Sequence, residues 1–173
     1  MNVNKTAVPM TKANLHQTRH DIDAEARAEL TKLINQQLVD TFDLYSQAKQ
    51  AHWNVKGIHF LQAHELFDKV AQDIFPFVDT LAERVTTLGG VANGTARQTA
   101  AMSRLDAFPE GSGGSKKFIS ALADRFAHVA KTTRAAIATS EELGDPNTAD
   151  IFTAVSNQLD ESLWFLEAHL QEA

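Results

Sequence analysis

The sequence AHWNVKGIHFLQAHELFD, residues 51–68, contains the junction between two predicted helices. Lys56 followed by Gly57 is typical of a helix C-terminus, because glycine adopts the left-handed conformation and the cation lies near the negative end of the helix dipole. His52 precedes this stop, and His64 and Asp68 follow it. The stretch therefore predicts the end of one helix and the start of another, with a histidine on each.

Apolar periodicity extends both helices outward from this junction. The first runs from about residue 23 to residue 55, with apolar side chains at three- and four-residue intervals: Leu30, Leu33, Ile34, Leu38, Phe42, Tyr45 and Ala48. The second runs from about residue 59 to residue 88 and ends at Gly89-Gly90. Pro76 lies within it and predicts a kink or a missing hydrogen bond rather than a break.

The rest of the chain contains a long connection and two further helices. The connection covers residues 91–114 and includes a short predicted helix at 96–103. The third helix covers residues 115–143 and the fourth residues 146–170, with Asp145 as N-cap and Pro146 at the first helical position. No segment has the alternating pattern of a strand. These elements predict an all-α four-helix bundle with a long crossover connection that carries a short helix.

Length and composition limit the class of protein. A chain of 173 residues suits one domain with a core of its own. The absence of cysteine excludes disulfides, zinc–thiolate sites and thiol catalysis. No apolar run approaches the ~18 residues that a membrane span needs, and the N-terminus lacks the apolar core of a secretory signal. We therefore expect a cytoplasmic protein with no membrane partner.

The formal net charge of -6 is unevenly distributed. Residues 1–20 contain Lys5, Lys12 and Arg19 and no acidic residue. The other 13 basic residues face 22 acidic ones, so residues 21–173 carry a charge of about -9. We predict a flexible, weakly basic N-terminal tail over residues 1–22 and an acidic helical domain over residues 23–173.

Two pairs of potential metal ligands lie on the second helix at four-residue spacing: His64 with Asp68, and Asp79 with Glu83. Residues four apart project from one helix face, so the members of each pair can approach one ion. Imidazole with carboxylate suits iron, manganese or zinc. Each pair taken alone is more typical of a solvated helix surface than of a metal site.

The distance between the two pairs separates these interpretations. His64 and Asp79 are fifteen residues apart, which is a rise of roughly 22 Å along a helix, so one chain cannot bring both pairs to one ion. Two antiparallel copies about a two-fold axis would place His64 of one opposite Asp79 and Glu83 of the other, and His52 would complete the histidine side. The Glu-x-x-His pattern that builds a di-iron site within one chain is absent. We predict two equivalent metal sites per dimer, each shared between chains.

The segments HWNVKGIHFLQAHELFD (52–68) and VDTLAERVTTLGGVA (78–92) resemble the two motifs of the Dps family, the DNA-binding proteins from starved cells, also called mini-ferritins. The separation of the motifs agrees as well. The closing DIFTAVSNQLDESLWFLEAHL (150–170) extends the resemblance over roughly residues 24–170. The resemblance implies a ferritin-like bundle that assembles into a hollow dodecamer with ferroxidase sites at its two-fold interfaces.

The resemblance also implies the chemistry and the division of the ligands between subunits. One subunit would supply His52, His64 and Asp68, and its partner Asp79 and Glu83, with Glu83 the anchoring carboxylate. The implied reaction oxidises ferrous iron, usually with hydrogen peroxide, and ferric mineral is stored in the shell; zinc is a possible substitute metal. Asp68 would bind a second, weaker iron or orient a histidine. Trp53 would either supply an electron or pack at the interface.

Two further surfaces follow from the resemblance. The first is the turn between the third and fourth helices, where family members line three-fold pores with carboxylates that attract cations; the acids here are Glu141, Glu142, Asp145 and Asp150. Pro146 stands where some members carry another acid. The second is the basic tail, which in some members binds DNA. Here Lys5, Lys12 and Arg19 would bind DNA phosphates. Twelve copies of the tail would act together, and the acidic body would repel the DNA.

These features lead to one principal function and two alternatives. The principal expectation is an iron-oxidising and iron-storing cage that protects DNA from oxidative damage, cytoplasmic and nucleoid-associated if it binds DNA. One alternative is a mainly architectural DNA-compacting protein whose metal site is slow or holds zinc. The other is a structural helical oligomer without chemistry.

Overall fold

A computed structural model of the chain describes residues 15–171. In chain order its elements are α1 (Ala24–Asn54), β1 (Val55–Lys56), α2 (Phe60–Thr87), α3 (Ala96–Met102), β2 (Gly113–Gly114), α4 (Ser115–Glu142) and α5 (Pro146–Ala168). The all-α class, the four long helices and the short helix in the connection are confirmed. No predicted helix end differs from the observed one by more than two residues.

Local capping chemistry explains why the helices begin and end where they do. The carboxylate of Asp23 accepts a hydrogen bond from the Glu25 amide at 2.7 Å, and that of Asp145 accepts one from the Thr148 amide at 3.0 Å. Each bond satisfies an amide that has no partner inside its helix. Gly89, just after α2, and Gly144, just after α4, have φ values of 85° and 76°, the left-handed conformation that closes a helix.

Two details of the backbone complete the comparison with the sequence. The expectation of no strand was incomplete, because Val55 pairs in parallel with Gly113 and Lys56 with Gly114. A ladder of two residues is too short to produce an alternating pattern, and it ties the end of the long connection to the α1–α2 junction. The helix α2 continues through Pro76 without a break, as predicted.

The core consists of two apolar clusters along the bundle. α1 packs most extensively on α2, and α4 on α5. The larger cluster lies at the end of the bundle that contains the α1–α2 junction, and its largest fully buried side chains are Phe67, Phe118 and Phe126. The second surrounds the C-terminal part of α2 with Leu30, Ile34, Leu81 and Phe152. The junction with the two histidines is thus held on a packed, rigid support.

Polar contacts fasten the long connection to the helices. Asp40, fully buried on α1, accepts hydrogen bonds from the backbone and the guanidinium of Arg104 at 2.8 and 2.7 Å. Arg125 on α4 donates to Gln47 on α1 at 2.6 Å and to the carbonyl of Ala107 at 2.8 Å. The connection therefore lies firmly against α1 and α4.

The segment before α1 is also bound to the body. We call residues 15–22 the N-terminal strap. The His16 amide donates to the Gly89 carbonyl at 2.7 Å, and the buried Arg27 donates to the carbonyls of Ile22 and Leu88 at 3.1 and 2.9 Å. Only residues 15–22 of the tail expected over 1–22 fall within the described chain, and these follow the surface at the end of α2. Within residues 15–171, no helix is long and apolar enough to cross a membrane.

Candidate metal centre

The end of α1 and the first turns of α2 bring His52 and His64 together. Their rings stack with centroids 3.7 Å apart and planes 22° from parallel. Nδ1 of His52 lies 2.8 Å from the carbonyl oxygen of His64, and Nδ1 of His64 lies 2.9 Å from the carbonyl oxygen of His52. A carbonyl oxygen only accepts, so we assign the hydrogen of each ring to Nδ1. Both Nε2 atoms are then left as nitrogen donors for a metal ion.

Asp68 lies one turn after His64, and both of its carboxylate oxygens already have partners. Lys49 Nζ lies 2.5 Å from Oδ1, and Gln72 Nε2 donates to Oδ2 at 2.7 Å. The hydrogen bond from Lys49 is the main reason that the pKa of Asp68 is held below its usual value, against a smaller opposing effect of burial. Asp68 is therefore an ionised carboxylate paired with the Lys49 ammonium.

Apolar side chains surround the histidine pair. Trp53 is 61% exposed, Ile58 93% and Leu61 58%, all close to the α1–α2 junction in sequence. An open depression of ≈ 490 Å³ is lined by His52, Leu61, His64, Glu65, Asp68, Lys69 and Gln72. Exposed apolar residues at this density are typical of a surface that another protein covers.

Asp79 and Glu83 lie farther along α2, and both side chains are exposed. Within residues 15–171 of a single chain, no three potential ligands lie close enough together to hold a metal ion. The structure thus brings His52 and His64 together, with Asp68 lining the same depression, and it leaves Asp79 and Glu83 as a separate pair.

Both sets of ligands nevertheless belong to one surface. We call the following residues the α2 stripe, because at 100° per residue they fall within a sector of about 100° on the helix: Leu61, His64, Glu65, Asp68, Gln72, Phe75, Asp79 and Glu83. His64 and Asp68 are partly buried and the other six side chains are exposed. One face of α2 therefore carries a nitrogen donor, His64, near its start, carboxylates near its end and Phe75 between them.

The acidic turn between α4 and α5 divides into exposed and buried carboxylates. Glu141, Glu142 and Asp150 are exposed. Asp145 is 1% exposed, and its two oxygens accept hydrogen bonds from Nη2 of Arg84 at 2.8 and 2.7 Å and from Thr148. Burial alone would raise the pKa of Asp145, but the hydrogen bonds from Arg84 and Thr148 more than offset it and hold this pKa below its usual value. Its carboxylate caps α5 and pairs with Arg84, so it is not at the surface where a pore ligand is needed.

The predicted DNA-binding residues fall partly within the described chain. Arg19 lies in the strap and is exposed. Lys5 and Lys12 lie outside the described residues.

Three side chains near the site were not identified from the sequence: Lys49, Gln72 and Phe75. Lys49 lies three residues before His52, and Gln72 four residues after Asp68, so the three- and four-residue spacing of one helix face also marks them. Phe75 is an apolar residue on an otherwise mostly polar helix face. Its position in the sequence pattern could therefore have marked it as an interaction residue.

Comparisons with known proteins agree with this architecture. The profile of the ferritin-like domain matches residues 31–173. A relative from Agrobacterium fabrum, named DNA protection during starvation protein, is 43% identical over 157 residues, which cover 91% of this chain and 97% of the relative.

Solved structures give the same result. DpsA14 from Streptomyces coelicolor superposes with a TM-score of 0.89 at 31% identity, covering 94% of this chain and 96% of the other. The Mycobacterium smegmatis Dps structure superposes with a TM-score of 0.87 at 28% identity, covering 91% of this chain and 95% of the other. These similarities extend over more than nine tenths of the chain.

Proposed function

The chain belongs to the Dps family of ferritin-like proteins, and from this membership we propose that it oxidises ferrous iron at sites shared between two subunits. The ferric product is stored inside a closed shell, a dodecamer, and the joint removal of ferrous iron and peroxide protects DNA by suppressing hydroxyl-radical formation. The single observation that carries the proposal is the stacked His52–His64 pair: each Nδ1 faces a backbone carbonyl, each Nε2 is left as a donor, and no group of three ligands forms within residues 15–171.

The histidine pair and the carboxylate end of the α2 stripe complement each other chemically. His52 and His64 supply neutral nitrogen donors, and the partner subunit's Asp79 and Glu83 supply the negative charge that a ferrous ion requires. Glu83 is the expected anchor, with Asp79 beside it. The backbone carbonyls that hold the two Nδ1 atoms fix the ring orientations in advance, which is the role of outer-shell hydrogen bonds in metal sites.

Asp68 takes the second, weaker iron position in this scheme. The orientation of both histidines already comes from backbone carbonyls, so Asp68 is not needed for that task. A second ion must instead compete with Lys49 and Gln72 for the carboxylate. Trp53, exposed beside His52, either packs against the partner or supplies an electron.

The overall reaction is balanced with hydrogen peroxide as oxidant. Two ferrous ions give up one electron each, peroxide accepts both as its O–O bond breaks, and hydrolysis of the ferric ions deposits ferric oxyhydroxide and releases four protons. Ferrous iron reaches the shell interior past the exposed Glu141, Glu142 and Asp150 of the α4–α5 turn. Asp145 is left out of this route because Arg84 and Thr148 occupy it.

Mixed shells test the shared site directly. We would compare the variant His52→Ala/His64→Ala, which lacks the nitrogen half, with the variant Asp79→Ala/Glu83→Ala, which lacks the carboxylate half. Each variant alone should assemble but not oxidise ferrous iron with peroxide. Co-expression of the two should restore oxidation, because one of the two sites in every mixed dimer then has both intact halves; random pairing restores about a quarter of the parental sites.

The outcome is read as the initial rate of ferric product formation per shell. Shells of mixed composition, isolated through a different tag on each variant, would have no activity at all if the site were built within one chain. Absence of recovery in such shells, or oxidation by the Asp79→Ala/Glu83→Ala variant at the parental rate, contradicts the proposal. A parental protein that binds DNA but does not oxidise iron would favour the architectural alternative.

A further inference from the structure

The middle of the α2 stripe carries one apolar side chain between the two sets of ligands. Gln72 and Phe75 occupy the stretch between Asp68 and Asp79, and Phe75 is 49% exposed. Among residues 15–171, nothing covers the outer face of this half-exposed aromatic ring. It is the part of the stripe where apolar burial would be gained on association.

Phe75 is held in place from below by α1. Its ring lies 4.6 Å from that of Tyr45, centroid to centroid, at 40°. Tyr45 is partly buried against the core and stacks in turn with Phe42, at 6.2 Å and 8°. The exposed ring is therefore pre-positioned, so little side-chain freedom is lost when it is covered; such rigid aromatic anchors contribute most to interfaces.

One antiparallel register satisfies the whole stripe at once. With a two-fold axis midway between positions 73 and 74 of α2, His64 lies opposite the partner's Glu83, Asp68 opposite the partner's Asp79, and Gln72 opposite the partner's Phe75. The metal ligands then meet at both ends. At the centre, the two phenyl rings lie on either side of the two-fold axis. Measured along α2, they are one helical turn or less apart.

We propose that Phe75, supported by Tyr45, forms with the partner subunit's Phe75 the apolar centre of this contact and thereby sets both metal sites. The occupant of the surface is a second copy of the same chain. The inference rests on the proposed function, because the pairing of ligands fixes the register. It adds the residue on which the pairing depends and the place where the axis crosses α2.

The two-fold symmetry predicts how assembly should respond to a charge introduced at position 75. Any charge at position 75 occurs twice beside the axis, so Phe75→Glu places two carboxylates together and Phe75→Lys two ammonium groups. Each variant also loses the aromatic contact. A chain with glutamate paired with a chain with lysine brings opposite charges together instead.

The experiment measures assembly and iron oxidation for Phe75→Glu, for Phe75→Lys and for the two chains co-expressed with different tags. Each variant alone should sediment as smaller species and lose at least ten-fold in the initial rate of peroxide-driven ferrous oxidation. The doubly tagged mixture should regain parental sedimentation and most of the rate. Val91→Glu, which charges an exposed apolar residue outside the stripe, is the matched control and should behave as the parent.

Sedimentation decides the contact independently of the iron chemistry. Parental assembly by Phe75→Glu, or failure of the mixture to regain assembly while helix content by circular dichroism is unchanged, overturns the assignment of Phe75. Loss and recovery of assembly support it even if the parental protein fails to oxidise iron, in which case the proposed function alone is wrong. Recovery in the mixture also excludes misfolding as the cause of the loss.

Discussion

His52 and His64 are each oriented by the main chain of the helix that carries the other histidine. The Nδ1 atom of His52 bonds to the backbone of α2, and that of His64 to the backbone of α1. A side-chain carboxylate in this role could be removed by a single substitution, whereas these carbonyls persist as long as the α1–α2 junction is folded. The nitrogen half of the site is therefore insensitive to changes at Asp68.

Lys49→Met should increase the number of divalent cations that each shared site binds. The parental Lys49 ammonium occupies Oδ1 of Asp68 and lowers its pKa, so removal frees an ionised carboxylate at neutral pH. Titration calorimetry with Co²⁺, a redox-stable substitute for ferrous iron, measures the stoichiometry. Lys116→Met, at an exposed position in α4, is the control. An unchanged stoichiometry would show that Lys49 does not compete with a second ion.

Asp145→Asn should destabilise the subunit far more than Asp160→Asn. Asp145 is 1% exposed, so its loss leaves the Arg84 cation buried without a counter-charge, at a cost of about 3–5 kcal/mol. Asp160 pairs with Arg134 where both side chains are about half exposed, and such a pair contributes about 0–1 kcal/mol. Thermal unfolding of the two variants and the parent measures the difference. Equal melting temperatures for the two variants would contradict a structural role for the Arg84–Asp145 pair.

The destabilisation caused by Asp145→Asn should also depend on pH, because it arises from the Arg84–Asp145 ion pair. The folded pKa of Asp145 lies below its ordinary value, so the contribution of its carboxylate to stability is complete above that ordinary value and is lost as the pH falls through the lower, folded pKa. The gap in melting temperature between parent and Asp145→Asn should therefore be constant near neutral pH and shrink only in acid below about pH 4. A gap that closes between pH 6 and 8 would assign the effect to another group.

At the scale of the elements, Gly89 links the end of α2 to the N-terminal strap. Its φ of 85° favours glycine, and an added Cβ would lie 2.8 Å from the carbonyl oxygen of His16. Gly89→Ala should therefore cost about 1–3 kcal/mol in backbone strain and also displace the strap. Gly111, with φ of 79° and open space around it, has only the first penalty, so Gly111→Ala is the matched control.

Limited trypsinolysis reports on the strap specifically. Cleavage after Arg19, identified by mass spectrometry, should be accelerated in Gly89→Ala and remain at the parental rate in Gly111→Ala. Equal rates in the two variants would mean that the contact between His16 and Gly89 does not hold the strap.

The helices were predictable because their signals are local. Asp145 and Gly144 encode the α4–α5 turn within a few residues, and the structure confirms it. The β1–β2 pair was not predictable, since two paired residues leave no pattern. Nor was the Lys49–Asp68 bond, which joins residues 19 apart on different helices and depends on how α1 crosses α2. The sharing of the site between subunits follows from the rise of a helix and stays a prediction.

At the scale of the whole molecule, charge is segregated between the tail and the body. Residues 21–173 have a formal charge of about -9 and repel a nucleic acid, whereas residues 1–20 carry three basic residues and no acid. Hydrogen bonds of His16 and Arg27 to the end of α2 hold the N-terminal strap in place beside that helix end. In the proposed shell, attraction to DNA would therefore come from many tails acting together.

Neutralising the tail, with Lys5→Gln, Lys12→Gln and Arg19→Gln combined, should abolish DNA retardation in gels at about 50 mM salt. Each engaged tail that neutralises three phosphates contributes about 2.7 to the slope of log affinity against log salt, so parental binding should fall steeply between about 50 and 200 mM. The control replaces Lys116, Lys117 and Lys131, three exposed lysines of α4, with glutamine and makes the same change in net charge on the body. If net charge alone governed binding, the two variants would lose retardation equally. Loss of retardation in the tail variant alone would assign DNA binding to the tail, and variants with a single tail substitution should then show a shallower salt slope. If the tail variant kept the parental slope, the tail would have no role in DNA binding.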